Sequence, residues 1–299
     1  MNKRKIHLRG TMRPYLMLLP TLAMVGTFMI YPIINTFFLS TQNHVLTDPK
    51  NMGFIGLKHF TDLFQDPTFL KAAVNSVYWT VSNVLLQAVL GLIVALLLKQ
   101  KFRGRGIFRA LMFTPWAVGG ILVALMFSFM FNESIGVIGD LLLKLGIVKE
   151  RISWFADGTT SMWALTIANT WRGIPFFAIS ILSALQTISP EIYESADVDG
   201  AGSAYQFFRI TLPLIKSTLL LTILLRTIWT LNVVDIIYGM TKGGPNFSTL
   251  TVPVYIMMSF NDSLDAGYSS AMAVLMVLVL LVFSAIYLKL GKYGKEEIY

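Results

Sequence analysis

Apolar positions along this 299-residue chain gather into six long runs, at about Tyr15–Leu39, Val74–Leu98, Phe108–Phe131, Met162–Leu185, Leu214–Tyr238 and Ser270–Leu288. Runs of this kind match the roughly 20 residues needed to cross a bilayer. Backbone groups in lipid must be satisfied internally, so the pattern predicts six transmembrane helices and an all-α polytopic membrane protein. Pro20, Pro32, Pro115 and Pro175 fall inside the runs, and packed membrane helices tolerate proline. The first run follows Lys3, Arg4, Lys5, Arg9 and Arg13, as a secretory signal would. It is longer than a signal core of roughly 7–15 residues and no A-x-A-like site follows, so it is expected to remain as the first span.

Composition agrees. The chain is 55% hydrophobic and 13% charged, against about 25% charged in ordinary soluble domains, which leaves too little polar surface for a soluble fold. It has no cysteine, hence no disulfide framework. No linker or low-complexity tract interrupts it, so residues 1–299 read as one membrane domain.

The distribution of Lys and Arg gives the orientation. Both ends, the Lys99–Arg109 stretch and the link after the fourth run hold 15 of them, including Arg209, Lys216, Lys289, Lys292 and Lys295. The three remaining loops hold seven: Lys50, Lys58, Lys71, Lys144, Lys149, Arg151 and Lys242. Both termini are therefore expected on the cytoplasmic side of the membrane. The net charge of +8 is a topology signal, which argues against nucleic-acid binding.

Between the fourth and fifth runs lies a polar segment, residues 189–213. Ser189 is placed to cap a helix and Pro190 to occupy its first position. Glu191 and Glu194 oppose the positive end of the helix dipole, and Gly200 reads as the stop. A second short helix is expected over Ser203–Arg209, with Pro213 opening the fifth span. Ser195, Ala196 and Gly200 are small enough for close approach, while Glu194, Asp197 and Asp199 offer acidic handles to a basic partner. An ordinary solvated loop would share these features.

Within that segment, Pro190, Tyr193, Glu194, Ala196, Val198, Asp199, Gly200, Ala201, Phe207, Ile210, Leu212 and Pro213 stand at the spacing of the EAA coupling loop. The segment therefore resembles the sugar-type permeases of binding-protein-dependent ABC importers. Ser195 departs from the alanine usual there, a small change of size. The stretches Phe54–Phe60, Trp171-Arg172-Gly173-Ile174-Pro175-Phe176 and Gly243-Gly244-Pro245 are similar to the same family, and the likeness covers about residues 12–290.

The resemblance implies a type I ABC importer transmembrane domain in a bacterial cytoplasmic membrane. It implies as partners a second homologous permease, a cytoplasmic ATPase dimer, an extracytoplasmic solute-binding protein and membrane lipid, with a carbohydrate as substrate. Glu194 would pair with a basic residue of the ATPase, and Gly200 would allow the turn between the short helices. No G-x-x-x-x-G-K-[ST] loop occurs, so ATP and Mg are expected on the partner, with neither cofactor nor catalytic residue on this chain. Alternatives are the same machinery for a non-sugar solute such as glycerol phosphate, or a secondary transporter. No paired intramembrane carboxylates suggest a proton relay for the latter. His7, His44 and His59 are scattered, so no metal site is expected.

Arg172 and Arg226 fall inside spans, where an arginine costs about 2.5–3.5 kcal/mol at the centre and should face a cavity or a partner. Two such charges at similar depth suit an anionic solute, and equally suit ties to carbonyls, acids or a second subunit. Relatives that handle neutral sugars carry a basic residue at the Arg172 position too. Asn169, Trp171, Asn232 and Asp235 combine hydrogen-bonding groups with an aromatic face, as carbohydrate binding requires. Interhelical hydrogen bonding would use the same residues.

Overall fold

A computed structural model describes residues 8–291, with side chains from Met17 onward. Lys3, Arg4, Lys5, Lys292 and Lys295, and the side chains of Arg9 and Arg13, lie outside the described residues. Four helices are long and apolar enough to cross a membrane: Met17–Leu39, Pro67–Lys99, Gly158–Gln186 and Ala266–Leu290. Two bent pairs, Arg105–Ala117 with Gly120–Met130 and Ser203–Leu214 with Lys216–Leu231, bring the number to six when each pair is counted as one span.

The chain divides into two compact units. One comprises the residues up to Leu63 with Ile256–Val277; the other comprises Phe64–Tyr255 and the residues from Leu278 on. In the first unit the opening helix passes through a π-turn at Gly26–Ile30. Pro32 follows it; its ring would crowd the carbonyl of Phe28, and the widened turn relieves that conflict. A two-residue antiparallel ladder then pairs Gln42–Asn43 with Gly53–Phe54. Buried His59 anchors this region through Nε2 to the Gln42 carbonyl (3.0 Å) and edge-on to Tyr268.

The second unit is built on the pairing of Pro67–Lys99 with Gly158–Gln186. Gly91 makes that pairing close: a Cβ there would stand 2.3 Å from the Phe177 Cβ. Around the contact, Val84, Ala95, Leu98, Phe177, Ile181, Leu182, Leu185 and Ile215 form one buried cluster. Buried residues make up 61% of an apolar 18-residue stretch of the fourth span against 33% in the second, which makes the fourth the inner helix of this unit.

Local chemistry sets the ends of these helices. Asp66 accepts from the Thr68 amide (2.8 Å) ahead of Pro67. Asp157 accepts from the Thr159 and Thr160 amides at 2.8 and 3.3 Å. Those amides, Thr159 first, hold the Asp157 carboxyl below its usual range. A depressed carboxyl stabilises the fold above its unfolded pKa of about 4 and loses that contribution as pH falls through the lower folded value. Asp157→Ala is therefore expected to lower the unfolding temperature at pH 7, with the difference from the parent closing only at pH below about 4. Thermal unfolding in detergent across pH reads this, and a difference that persists undiminished in acid would rule out the charged cap.

Two spans depart from the straight helices expected from hydropathy. The third run, expected over Phe108–Phe131, turns by 102° between Ala117 and Gly120. Pro115 denies the helix a donor, and Val118 and Gly119 then run extended (ψ 125° and 145°) before the next helix starts at Gly120. The fifth was expected over Leu214–Tyr238. Instead its helix begins at Ser203, bends by 65° at Ile215 and ends at Leu231. Asn232–Val234 interrupt it before a separate helix, Asp235–Thr241. Pro213 therefore lies within a continuing helical path rather than opening a span.

Candidate functional site

The polar segment after the fourth span folds as a helix, a turn and a second helix. Pro190–Val198 is helical with Pro190 in the first turn, but the Ser189 side chain makes no capping bond, contrary to expectation. The Ile192 amide, which such a cap would serve, reaches the Ser189 backbone carbonyl instead (3.2 Å). At the other end Gly200 takes φ +77°. The Ala201 amide reaches the Ala196 carbonyl (2.9 Å) and the Gly200 amide the Asp197 carbonyl (3.0 Å). Together these bonds form a Schellman motif, which the left-handed glycine makes possible.

The two helices are tied together from inside. Gln206 Nε2 donates to Asp197 Oδ1 (2.6 Å) and to the Ala201 carbonyl (2.9 Å). Tyr193 hydrogen-bonds through its hydroxyl to Thr211 (3.0 Å), and Lys99 Nζ stands 3.8 Å above its ring. Ala196 is buried, whereas Glu191, Glu194, Ser195 and Asp199 are exposed. Among the described residues Glu194 forms no ion pair. Asp197, expected as an acidic handle, is exposed and accepts from Gln206 through Oδ1. Val198, read in the sequence as a motif position but not as a contact residue, is 88% exposed at the end of the helix. Ala196, Asp199, Gly200, Ala201, Gly202, Tyr205, Arg209 and Ile210 line an open hollow of about 570 Å³.

A second polar centre lies among the spans. Trp79 Nε1 donates to the Thr230 carbonyl (2.9 Å), Asn83 Nδ2 to the Trp79 carbonyl (2.8 Å), and Asn169 Nδ2 to Asn83 Oδ1 (2.9 Å). Gln87 Nε2 donates to the Asn169 carbonyl (3.0 Å), and its Oε1 accepts from Arg226 Nε (2.6 Å). Trp79, Asn83 and Gln87 were missed in the sequence, yet their spacing of four places them on one face of the second span. Gly173 makes room for the chain's end, since a Cβ there would meet Gln87 Oε1 at 2.3 Å and Arg226 Nη2 at 2.5 Å.

This network borders a cavity of about 460 Å³ lined by Trp116, Arg172, Arg226, Trp229, Asn232, Val233, Val234 and Asp235. Arg172 faces Asp235 at 3.7 Å. The Asp235 carboxylate rests against Gly120, where any Cβ would overlap Oδ2; this is the first residue of the Gly120–Met130 helix, whose positive end favours an anion. Of the six intramembrane candidates, Arg172, Arg226, Asn232 and Asp235 meet at the cavity. Asn169 is wholly buried in the hydrogen-bonded chain, and Trp171 packs on Phe127 at 5.6 Å. Among the described residues no three His, Asp or Glu side chains gather to hold a metal.

Comparison with known proteins gives this architecture its relatives. Residues 87–292 match the family described as "Binding-protein-dependent transport system inner membrane component". The trehalose/maltose transport system permease protein of Thermococcus litoralis is 34% identical over 292 residues, 98% of each chain. The sulfoquinovosyl glycerol transport system permease protein of Agrobacterium fabrum is 36% identical over 275 residues, 92% of this chain and 89% of that one. A crystal structure of a bacterial ABC transporter for import of the acidic polysaccharide alginate superimposes with TM-score 0.83 at 23% identity, over 97% of this chain and 100% of its counterpart. The fold is thus that of an ABC importer's transmembrane subunit, and this multi-pass membrane chain belongs to the family of inner-membrane components of binding-protein-dependent transport systems.

Proposed function

We propose that the chain is one of two permease subunits in an ATP-driven carbohydrate importer, with both termini and residues 189–213 on the cytoplasmic side. The observation that carries this reading is the exposed helix–turn–helix at Pro190–Gln206. It is held rigid by its own hydrogen bonds in a chain that lacks a phosphate-binding loop. A rigid element of this kind transmits a push from a docked ATPase dimer, which would hold ATP and Mg. Glu191, Glu194, Ser195 and Asp199 are the docking groups, Val198 the apolar contact, and Asp197, Ala196 and Gly200 the parts that keep its shape. Basic residues on one side of the membrane support the orientation.

Two relatives named for carbohydrates, at 34% and 36% identity over nearly the whole chain, support the substrate class. The family description supports delivery by an external binding protein. Arg172, Arg226, Asn232 and Asp235, with Trp116 and Trp229, would line this subunit's share of the solute path. ATP binding would favour the outward-facing arrangement only through its differential affinity for the two states.

Affinity purification of the tagged chain from its host in mild detergent tests the assembly. A second permease and an ATPase are expected to co-purify, and carbohydrate uptake is expected to stop when ATP is depleted with the ion gradients intact. Uptake that continues without ATP would overturn the reading in favour of a secondary transporter.

A further inference from the structure

The cavity beside Arg226 carries an unbalanced positive charge. Arg226 is 8% exposed and its Nε is taken by the neutral amide of Gln87. Among the described residues it forms no ion pair, and its terminal Nη groups have no hydrogen-bond partner. The cavity's carboxylate, Asp235, faces Arg172. Two guanidinium groups and one carboxylate therefore share this space, and the excess charge belongs to the more deeply buried arginine. Arginine stays protonated at any accessible pH. The charge is relieved by an anion, and a guanidinium presents paired N–H groups that fit carboxylate, sulfonate or phosphate oxygens.

The rest of the wall suits a sugar ring rather than a bare ion. Trp116 and Trp229 are 55% and 47% exposed, leaving indole surface for the C–H face of a pyranose. Asn232 spends its amide on the Ile228 carbonyl (2.7 Å), which leaves its side-chain oxygen to accept from a hydroxyl. The volume of about 460 Å³ lies inside the roughly 300–1,000 Å³ typical of small-molecule sites.

We propose that this subunit selects for an acidic glycoside, whose anionic group is received by the Nη groups of Arg226 while its ring lies between Trp116 and Trp229. The proposal rests on the reading of the cavity as part of the solute path. Here Arg172 and Asp235 act as a neutral pair that frames the opening, and Arg226 supplies the charge.

The complete transporter in nanodiscs, without its binding protein, is titrated with methyl β-D-glucuronide and with uncharged methyl β-D-glucoside while tryptophan fluorescence is followed. The glucuronide is expected to bind at least about tenfold more tightly, a difference of 1.4 kcal/mol. Arg226→Gln should abolish that preference and Arg226→Lys retain part of it. The comparison of probes on the unaltered transporter stands even if a variant fails to assemble. Equal binding of the two probes, weakened alike by Trp229→Ala, would overturn the charge selection and leave the path reading intact. Binding of neither probe, with uptake indifferent to Trp229→Ala and Asn232→Ala, would overturn both.

Discussion

Reversing the charge of Glu194 (Glu194→Arg) is expected to abolish ATP-driven uptake while leaving the chain folded and inserted. Within the subunit Glu194 is exposed and, among the described residues, has no ion pair, so its replacement breaks no internal ion pair. Its helix is held by other groups: the Gly200 turn, the Gln206 bridge to Asp197 and the Tyr193–Thr211 bond. At a docked interface the outcome differs. Losing a charge partner costs about 2–5 kcal/mol, and a like charge in its place adds repulsion, so coupled uptake should fall by at least about 30-fold. Insertion is followed by membrane fractionation and the melting temperature of the purified chain. Normal uptake by the variant, at normal abundance, would show that Glu194 is not a docking group.

What could be read in the sequence follows from how local each interaction is. Hydropathy needs only neighbouring residues, and it located the four straight spans to within seven residues at either end, as with Val74–Leu98 against the observed Pro67–Lys99. The Gly200 stop was legible because a left-handed C-terminal residue is a single-site requirement. The 102° turn before Gly120 was not, since a window average is blind to direction and a membrane proline often leaves a helix unbroken. The partner of Arg226 was beyond reach for another reason. Gln87 lies 139 residues away in sequence, and only the pairing of spans brings it near. The same holds for Asp235, read as part of a fifth span when it starts a separate helix that packs against Gly120. Asn169 shows the converse, since a polar residue one turn from Arg172 served equally well as a cavity candidate or as interhelical glue, and its burial beside Asn83 places it in the interior.

Gly173 is the position where the buried network leaves least room, and Gly173→Ala is expected to damage both stability and transport. The added methyl would stand 2.2 Å from Gln87 Cδ and 2.5 Å from Arg226 Nη2. Those side chains could move aside on a surface, but Gln87 is wholly buried and Arg226 nearly so. Displacing either separates the 2.6 Å bond between them and leaves a buried guanidinium without its acceptor. Hydrogen bonds to charged groups contribute about 1.5–3 kcal/mol, so a loss of about 2 kcal/mol in unfolding free energy is expected, with uptake falling in parallel. A double-mutant cycle isolates the cause. Gln87→Ala alone should cost a similar amount by removing the acceptor. In the double variant the shortened side chain clears the space the methyl needs, so the penalties should overlap and total about 2 rather than about 4 kcal/mol. Thermal or denaturant unfolding of the purified transporter measures all four forms. Strictly additive losses would mean that Gly173 acts through helix packing elsewhere, and that the seat it provides for the Gln87–Arg226 pair is incidental.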